Sequence, residues 1–410
     1  MAKVKNIGVF TVFFLQAFLF FGQNPTPNNA GTPSKVITGM EQLGDYTAEL
    51  ENLRIAVVTN HTAVSNGVHL VDYLLNEDLN VVKVFAPEHG FRGTADAGEH
   101  VASGKDKKTG LPVISLYGNN KKPKPEQLAN VDVLIFDIQD VGVRFYTYIS
   151  TLHYVMEAAA ETGKKVWVPD RPNPNGFYVS GPVLKEKKYR SFVGMHPIPV
   201  VHGLTVGELA QMINGEKWLE GELQCDLKVI RVKNYTHDML YELPIAPSPN
   251  LKNMRAVYLY PGLGLFEGTV VSVGRGTDYP FEVFGHPDLT TGDFTFTPQP
   301  APGAKNPKLN GKTCRGFDLR NLDAQFALET RKLYLTWLKT AFEHYAGTEP
   351  FFLKNNFFNL LAGNNRLQEQ IKNKMPLKEI EKSWQPDLTE YMQMRKKYLL
   401  YPDFTPAKGF

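Results

Sequence analysis

The strongest constraint on the fold is an alternation of short apolar runs and helical patterns between residues 54 and 168. The runs are rich in Val, Ile, Leu and Phe and almost continuous in apolar side chains. Strands of this kind are buried on both faces, as in parallel sheets covered by helices. We therefore predict an α/β fold with a Rossmann-like, doubly wound parallel sheet. The predicted strands are Arg54–Asn60, Asn80–Ala86, Leu111–Tyr117, Val131–Ile138 and Lys165–Val168, and the predicted helices are Val68–Asn76 and Thr147–Thr162, the latter ending at Gly163.

The second half of the chain has a different pattern. Ala256–Tyr260 and Thr269–Val273 have the composition of strands on either side of a Gly-rich loop, and residues 296–312 are dense in Pro, Gly, Asn and Lys, which predicts an exposed excursion. Because 410 residues exceed the size at which a single core usually stops growing, we predict two domains. These are a Rossmann-like domain at residues 37–215 and a smaller α+β domain at residues 216–410. The predicted helices of the second domain are Leu322–Ala346, Leu360–Lys372, Leu377–Trp384 and Leu388–Tyr398.

The N-terminus has the layout of a cleaved signal peptide. Lys3 and Lys5 precede an uncharged stretch, Ile7–Phe21, that is too short to span a bilayer comfortably. We predict a signal peptide at residues 1–22 and a linker at residues 23–36. The mature protein is then exported, periplasmic or secreted, with no integral membrane span after signal removal. An uncleaved N-terminal anchor is the alternative.

Charge and cysteine content restrict the partners. The formal net charge is +3, and removal of residues 1–22 would take away two lysines and no acid, which leaves +1 without a long basic tract. This balance argues against nucleic acid as a partner. Two cysteines, Cys225 and Cys314, are too few for a usual structural zinc site, and whether they pair stays open. The histidines show no paired-ligand spacing, so we predict no metal and no cofactor.

Polar residues follow each predicted strand, where open parallel sheets bind their ligands. Glu88 is the leading candidate, because Pro87 and Gly90 bracket it and can hold its carboxyl partly buried. Burial raises the pKa of a carboxyl group and suits it to donate a proton near neutrality. The alternative is that Glu88 only caps a turn. The other polar residues after the strands are Asn60, His61 and Thr62; His89; Asp137, Gln139, Asp140 and Arg144; and Asp170, Arg171, Asn173 and Asn175.

Two further loops suggest other chemistry. Asp137 ends an apolar strand as the nucleophile of haloacid-dehalogenase-like phosphatases does, but its second carboxylate, Asp140, stands at i+3 rather than i+2. The glycines at residues 262–268 approach a dinucleotide fingerprint, yet the β-like run after them argues against that function. The loop at residues 274–281 offers Arg275 for an anion and aromatic rings for stacking. A plain connecting loop is the alternative. Thr205 and Glu208 predict a capping box at a helix start.

Several uncommon runs occur together and in order, and they resemble a bacterial family first described as a domain of unknown function. That family, glycoside hydrolase family 171, consists of exo-β-N-acetylmuramidases of peptidoglycan recycling. The resemblance covers about residues 37–402. The runs include Thr59–Thr62, Ala86–Gly93 (APEHGFRG), Leu111–Gly118, Val131–Tyr148, Pro169–Gly176 (PDRPNPNG), His202–Leu209, Pro247–Leu251 (PSPNL), Tyr260–Thr269 (YPGLGLFEGT), Gly274–Pro287 and residues 398–401.

The resemblance implies a glycosidase with its active site in a cleft between the two domains. It implies release of N-acetylmuramic acid from the non-reducing end of β-1,4-linked wall fragments, with the catalytic glutamate at Glu88. A second carboxylate would act as base or nucleophile, unless the 2-acetamido group of the substrate takes that part. An arginine is the natural bidentate partner for the lactyl carboxylate of muramic acid, and we predict Arg275 in this role, with Arg144 as the second choice. A non-catalytic sugar-binding protein of the wall, or a phosphatase-like hydrolase that uses Asp137, is the alternative function.

The predicted site therefore consists of two sets of residues. The predicted catalytic residues are Glu88, Asp140 and Glu267, with Asp170 and Asp278 as further candidates for the second carboxylate. The predicted substrate-binding residues are Asn60, His89, Arg144, Tyr146, Tyr148, Asp170, Arg275 and Asp278, and the predicted partner is a peptidoglycan-derived saccharide.

Overall fold

The structure, a computed structural model, describes residues 34–91 and 103–405. The predicted signal peptide and most of the predicted linker lie outside the described residues, as do Arg92 and Gly93. The described part of residues 36–410 forms one compact unit. Among the described residues, no helix has both the length and the apolar character needed to cross a membrane.

Twelve strands are present in the described residues. They are β1 Ile55–Thr59, β2 Val64–Ser65, β3 Val68–His69, β4 Val81–Ala86, β5 Gly104–Lys105, β6 Pro112–Ser115, β7 Val133–Asp137, β8 Lys165–Pro169, β9 Asp226–Ile230, β10 Val283–His286, β11 Phe294–Phe296 and β12 Cys314–Asp318.

The same residues form twelve α-helices and four short 3-10 helices. The α-helices are α1 Thr47–Leu50, α2 Leu70–Asn76, α3 Pro125–Leu128, α4 Tyr148–Thr162, α5 Val206–Gly215, α6 Met254–Leu263, α7 Ala324–Thr330, α8 Thr336–Glu343, α9 Phe357–Ala362, α10 Arg366–Lys372, α11 Leu377–Ser383 and α12 Gln385–Lys396. The 3-10 helices are Met40–Tyr46, Lys187–Tyr189, Glu220–Glu222 and Gly264–Gly268.

A seven-stranded sheet forms the larger domain, in the order β5-β6-β4-β1-β7-β8-β9. The short edge strand β5 is antiparallel to β6, and the other six strands are parallel. Counted along the chain, the parallel strands have the spatial order 3-2-1-4-5-6, the doubly wound order of Rossmann folds. The α/β fold predicted from the sequence is therefore confirmed. The order reverses between β1 and β7, and this is where such sheets open a ligand crevice beyond the strands' carboxyl ends.

Burial on both faces explains why the central strands are apolar throughout. All five residues of β1 are buried, and they alternate between two cores. Ala56 and Val58 pack into the core beneath α4 and α5, whereas Ile55 and Val57 pack into the core beneath α2. A period of two along a strand produces this alternation. The sheet is thus a rigid support for the loops at its edges.

Two predicted helix boundaries of the larger domain are confirmed. The helix α4 ends at Gly163, whose φ of 65° is the left-handed conformation that favours glycine after a helix. At the start of α5, the Thr205 hydroxyl accepts a hydrogen bond from the Glu208 amide and the Glu208 carboxylate accepts one from the Thr205 amide. This is the capping box that the sequence predicts.

The smaller domain contains a separate sheet in the order β10-β12-β11, in which both pairings are antiparallel. The helices α6 to α12 belong to the same part of the chain. The last strand of the large sheet, β9, also comes from beyond residue 215, because it pairs in parallel with β8. The predicted boundary between residues 215 and 216 therefore falls before the last strand of the larger sheet.

Two strand predictions in the second half were wrong. Ala256–Tyr260 lies inside α6, where the Asn253 side chain caps the helix by accepting a hydrogen bond from the Ala256 amide at 3.0 Å. Burial of one face of α6 outweighs the β propensity of its Val and Tyr residues. Thr269–Val273 makes only isolated bridges within the described residues, at Thr269 and Ser272.

Two long helical patterns are each split. Residues 322–346 contain α7 and α8, and Arg331 ends α7 in a left-handed conformation with φ of 40°. Residues 360–372 fall in α9 and α10, separated at Gly363, whose φ is 77°. The predicted helices at 377–384 and 388–398 correspond to α11 and α12. The helices α7 to α10 bury apolar residues, so the helical periodicity continues across the breaks and predicts one longer helix in each case.

Candidate active site

A cleft of about 580 Å³ lies at the carboxyl edge of the large sheet and is closed by residues of the second half of the chain. Glu88 reaches it from the end of β4, Tyr117 from the end of β6 and Thr147 from the start of α4. Among the described residues, the lining consists of Glu88, His89, Tyr117, Gly118, Asn119, Lys121, Phe145, Tyr146, Thr147, Tyr148, Phe192, Val193, Ser248, Asn250, Leu251, Tyr260, Gly264, Glu267, Arg275, Phe281, Phe357 and Leu361.

A tight turn presents Glu88 to the cleft. The Gly90 amide donates to the Pro87 carbonyl at 3.0 Å, which closes the turn, and His89 has a φ of 68°. A positive φ is uncommon outside glycine and costs on the order of 1 kcal/mol, and such residues concentrate at functional sites. The Thr147 hydroxyl donates to Glu88 Oε2 at 2.7 Å. The turn and this hydrogen bond together fix the half-buried carboxyl.

Glu267 and Arg275 form an ion pair on the part of the lining contributed by the smaller domain. Arg275 Nε lies 3.3 Å from one carboxylate oxygen and its Nη2 lies 3.3 Å from the other. Burial raises the pKa of Glu267, but the attraction of Arg275 and Lys308 outweighs it, so the pKa lies below its ordinary value. Arg275 also stacks on Phe281, 4.8 Å from the ring centroid. The pair keeps a carboxylate and a guanidinium charged at the cleft surface.

Three tyrosines form an aromatic wall. Tyr146 packs edge-on against Tyr148 and Tyr260, with ring centroids 4.9 and 5.8 Å apart. The Tyr146 hydroxyl donates to the Pro247 carbonyl at 2.9 Å, and the Tyr148 hydroxyl accepts a hydrogen bond from Asn60 at 2.9 Å. Burial raises the pKa of both Tyr146 and Tyr148, so these phenols stay neutral. Asn60 itself is buried behind Tyr148 and supports the wall from outside the lining.

Asp140, one of the predicted catalytic residues, is buried and absent from the cleft lining. Its Oδ2 accepts a hydrogen bond from the Gly142 amide at 2.7 Å, and among the described residues its Oδ1 has no hydrogen-bond partner. Burial raises the pKa of Asp140 to about 7. The sequence placed this residue at the correct strand end, but its side chain turns into the interior.

Asp170 and Arg144 also lie in the interior rather than at the cleft. Asp170 accepts hydrogen bonds from the Thr205 hydroxyl at 2.7 Å and from the Tyr401 hydroxyl at 2.6 Å, and burial raises its pKa to about 6. The Arg144 guanidinium is fully buried and its pKa is lowered by burial to about 9. It donates to the carbonyls of Pro182, Ile198 and Leu361 at 2.7, 2.6 and 2.9 Å. Both predicted sugar contacts are thus occupied in holding the chain together.

Two more predicted carboxylates lie away from the cleft. Asp278 is exposed on the loop after Arg275 and is not part of the lining. Asp137 is fully buried, and both of its oxygens accept hydrogen bonds from the Arg171 guanidinium. This ion pair opposes a nucleophilic Asp137 and with it the phosphatase-like alternative. Cys225 and Cys314 are both buried free thiols, so the open question of their pairing is answered.

The cleft also contains residues that sequence reasoning did not select. Lys121 lies 4.8 Å from the Phe192 ring centroid, and Phe192 stacks on Tyr154 at 6.3 Å. Lys121 and Phe192 lie in loops without a strand-end or motif signal. The sequence pattern predicts Thr147 as a helix start and gives it no role in the site, although its position directly after the Arg144–Tyr146 run could have identified it.

Comparison with known proteins gives one consistent answer. Residues 55–255 match the family described as exo-β-N-acetylmuramidase NamZ, N-terminal, and residues 258–401 match its C-terminal counterpart. The chain belongs to the exo-β-N-acetylmuramidase NamZ family. It is therefore a glycosidase, and of the functions predicted from the sequence this is the one that is confirmed.

Individual relatives agree with this membership. A Bacillus subtilis (strain 168) protein, peptidoglycan β-N-acetylmuramidase NamZ, is 41% identical over 95% of this chain and 99% of its own length. A crystal structure of a DUF1343 family protein from Bacteroides fragilis is 47% identical, with a TM-score of 0.83 over 90% of this chain and all of that one. A second Bacteroides fragilis structure of that family is 31% identical, with a TM-score of 0.71 over 89% of this chain and 99% of the other.

Proposed function

We propose that the protein releases N-acetylmuramic acid from the non-reducing end of β-1,4-linked peptidoglycan fragments, with Glu88 as general acid. The activity follows the family and the Bacillus subtilis relative, which is named for it. The observation that carries the catalytic assignment is the lining itself. Within the described residues, Glu88 and Glu267 are the two carboxylates of the cleft.

Glu88 is suited to protonate the leaving oxygen. The Thr147 hydroxyl donates to Oε2, and a carboxylic acid can accept at one oxygen while it donates from the other. The hydrogen bond therefore orients the acid without competing for its proton. Glycosidases need such a donor because the leaving sugar oxygen is too basic to depart as an anion.

Glu267 supplies the negative charge that the reaction requires near the sugar. Its ion pair with Arg275 lowers its pKa, so the carboxylate is ionised at neutral pH. An anion near the sugar stabilises the oxocarbenium-like centre that forms as the bond breaks. Glycosidases usually combine one carboxyl group that donates a proton with a second that remains an ionised carboxylate.

Arg275 is the proposed partner of the lactyl carboxylate that distinguishes muramic acid. It lines the cleft with a side chain that is 21% exposed, and its ion pair with Glu267 engages Nε and Nη2 of the guanidinium. An arginine fork matches a carboxylate in geometry and charge. Tyr146, Tyr148 and His89 border the same space and are proposed to contact the sugar ring.

We also propose that the mature protein is exported, periplasmic or secreted, after removal of residues 1–22. The support is the sequence pattern of a basic start followed by an uncharged apolar stretch. N-terminal sequencing of the protein recovered from outside the cytoplasm should begin at about residue 23. Recovery of the intact N-terminus in the cytoplasm would refute export.

The catalytic proposal is tested with Glu88→Gln on two muramides that differ in their leaving group. One carries a sugar, which needs protonation, and the other an activated aryl group, which needs little. The variant should lose roughly 10²–10⁴-fold of kcat on the sugar substrate and much less on the aryl substrate. The matched control is Glu379→Gln, an exposed change on α11 that should behave as wild type.

Equal losses on both substrates would contradict a general-acid role for Glu88. Unfolding curves of the variant and of wild type should coincide, which separates a chemical effect from a structural one.

A further inference from the structure

Lys308 lies behind the Glu267–Arg275 pair, on the segment formed by residues 296–312. The sequence predicted an exposed excursion here, but the Lys308 side chain turns inward and its ammonium is held by the loop that carries Glu267. The acceptors are the carbonyl oxygens of Phe266, Glu267, Thr269 and Val271, at 3.2, 3.5, 2.6 and 3.2 Å from Nζ. Carbonyls only accept hydrogen bonds, so this position suits the ammonium form with its three donors.

The rest of the segment is anchored against the cleft walls. The Gln299 amide donates to the Gly276 carbonyl at 2.9 Å, next to Arg275. The Gly303 carbonyl accepts a hydrogen bond from Asn250, a lining residue, at 2.7 Å. Pro307 packs so closely on Gly276 that a Cβ there would lie 2.8 Å from it. Lys308 is therefore held in place from both sides.

The charges of this corner do not cancel. Glu267 carries −1 and Arg275 carries +1, so the ion pair alone is neutral, and Lys308 adds a second positive charge. The electrostatic influence is mutual: Lys308 contributes to lowering the pKa of Glu267 after burial has raised it, and burial lowers the pKa of Lys308 while Glu267 opposes that shift. Without Lys308, an anionic substrate group that approaches Arg275 would be repelled by Glu267, and the neutral ion pair would offer no excess of positive charge to offset that repulsion.

We propose that Lys308 is a specificity-determining residue: it keeps the Arg275 end of the cleft positive, so that the site favours a sugar that carries a carboxylate. This inference rests on the proposed function, because it takes the lactyl carboxylate of muramic acid to bind at Arg275. Lys308 acts through the electrostatic potential of its ammonium group and through the loop that carries Glu267, and it does not line the cleft itself.

The test compares two substrates and three variants. The substrates are a chromogenic muramide with its lactyl carboxylate and the same compound as the lactyl methyl ester. Lys308→Gln removes the charge but keeps amide donors for the loop carbonyls, and Lys308→Arg keeps the charge. The matched control is Lys312→Gln, which removes an exposed lysine of the same segment.

Wild type should prefer the acid to the ester in kcat/KM. Lys308→Gln should lower this preference by roughly tenfold, mainly through a higher KM for the acid, because a uniform binding interaction is removed. Lys308→Arg and Lys312→Gln should keep the wild-type preference.

Two results would overturn the inference. Lys308→Gln could reduce turnover of both substrates equally, which would make Lys308 only a scaffold, or it could leave the preference unchanged. Turnover of neither substrate by wild type would instead refute the proposed function, so the two failures are distinguishable.

Discussion

The two sides of the cleft hold their carboxylates by different groups. On the side of the large sheet, Glu88 sits on a strained turn and accepts a hydrogen bond from the neutral Thr147 hydroxyl. On the side of the smaller domain, Glu267 faces the guanidinium of Arg275, with Lys308 behind it. The hydroxyl group fixes the orientation of its carboxyl partner, whereas the guanidinium group places a full positive charge beside its partner and favours the anion. In the proposed function, this difference corresponds to proton transfer on the side of the large sheet and charge stabilisation on the side of the smaller domain.

The comparison is tested most strongly by Glu267→Gln. Loss of the anion should reduce kcat by roughly 10²–10³-fold, because charge that develops at the sugar is no longer stabilised. The reduction should appear with both sugar and aryl leaving groups, unlike that of Glu88→Gln. A loss that depends on the leaving group would show that Glu267, not Glu88, delivers the proton.

Breaking the ion pair with Arg275→Met should affect binding and pH dependence together. The KM for a muramide with its carboxylate should rise roughly 10–100-fold, the cost of a charged hydrogen bond. Burial raises the pKa of Glu267 and Arg275 opposes this, so the acid limb of the pH–kcat profile should move to higher pH in the variant. The control Arg366→Met changes an exposed arginine at the start of α10. If the acid limb does not move in Arg275→Met, the ionisation of Glu267 does not determine that limb of the pH–kcat profile.

The variant Asp140→Asn tests whether the buried carboxyl group of Asp140, on the large-sheet side of the cleft, affects the stability of the fold rather than catalysis. Burial raises the pKa of Asp140 to about 7, whereas an unfolded aspartate titrates near pH 3.9. The folded state therefore binds this proton more tightly, so its stabilising effect is complete below about pH 4 and is lost as the pH rises through about 7. Between pH 5 and pH 8, wild type should lose roughly 2 kcal/mol more unfolding free energy than Asp140→Asn.

Urea unfolding at the two pH values measures this difference. The exposed variant Asp226→Asn should follow wild type at both. A large loss of kcat in Asp140→Asn at constant stability would instead return Asp140 to the catalytic residues.

The smallest expected effect belongs to Thr147. Thr147→Val removes the hydroxyl with little change in shape and should lower kcat roughly fivefold, about 1 kcal/mol for a single hydrogen bond. Thr147→Ser keeps the hydroxyl and should retain most of the activity. If valine and serine have the same effect, the hydrogen bond to Glu88 does not orient the acid.

The sequence predicts elements best where burial is extreme. The strands of the large sheet are almost purely apolar, and no competing element has that pattern at that length. The helix α6 was predicted as a strand because Val257, Tyr258 and Tyr260 have β propensity, and packing of α6 against α7 and α8 decided the outcome. The prediction of an exposed excursion at residues 296–312 did not identify Lys308 for a related reason, since a Pro- and Gly-rich composition predicts exposure but not the direction of one side chain.

The candidate site shows the same limit. Glu88, His89, Tyr146, Tyr148, Glu267 and Arg275 line the cleft as the predicted site requires. Asp140, Asp170 and Arg144 follow strands of the same sheet and yet lie in the interior. A strand end places a residue at the edge of the sheet, but the loop geometry after it decides whether the side chain enters the cleft or the core.

By itself the sequence determined the doubly wound sheet, the edge where chemistry can occur and the family to which the chain is similar. These depend on local patterns and on strings of residues, which are readable along the chain. Only the tertiary structure decided which carboxylates share the cleft, that Thr147 meets Glu88, and that Lys308 adds a positive charge behind Arg275. Thr147 and Glu88 are 59 positions apart, and Lys308 and Val271, whose carbonyl accepts from it, are 37 apart, so these contacts form only when separate segments pack together.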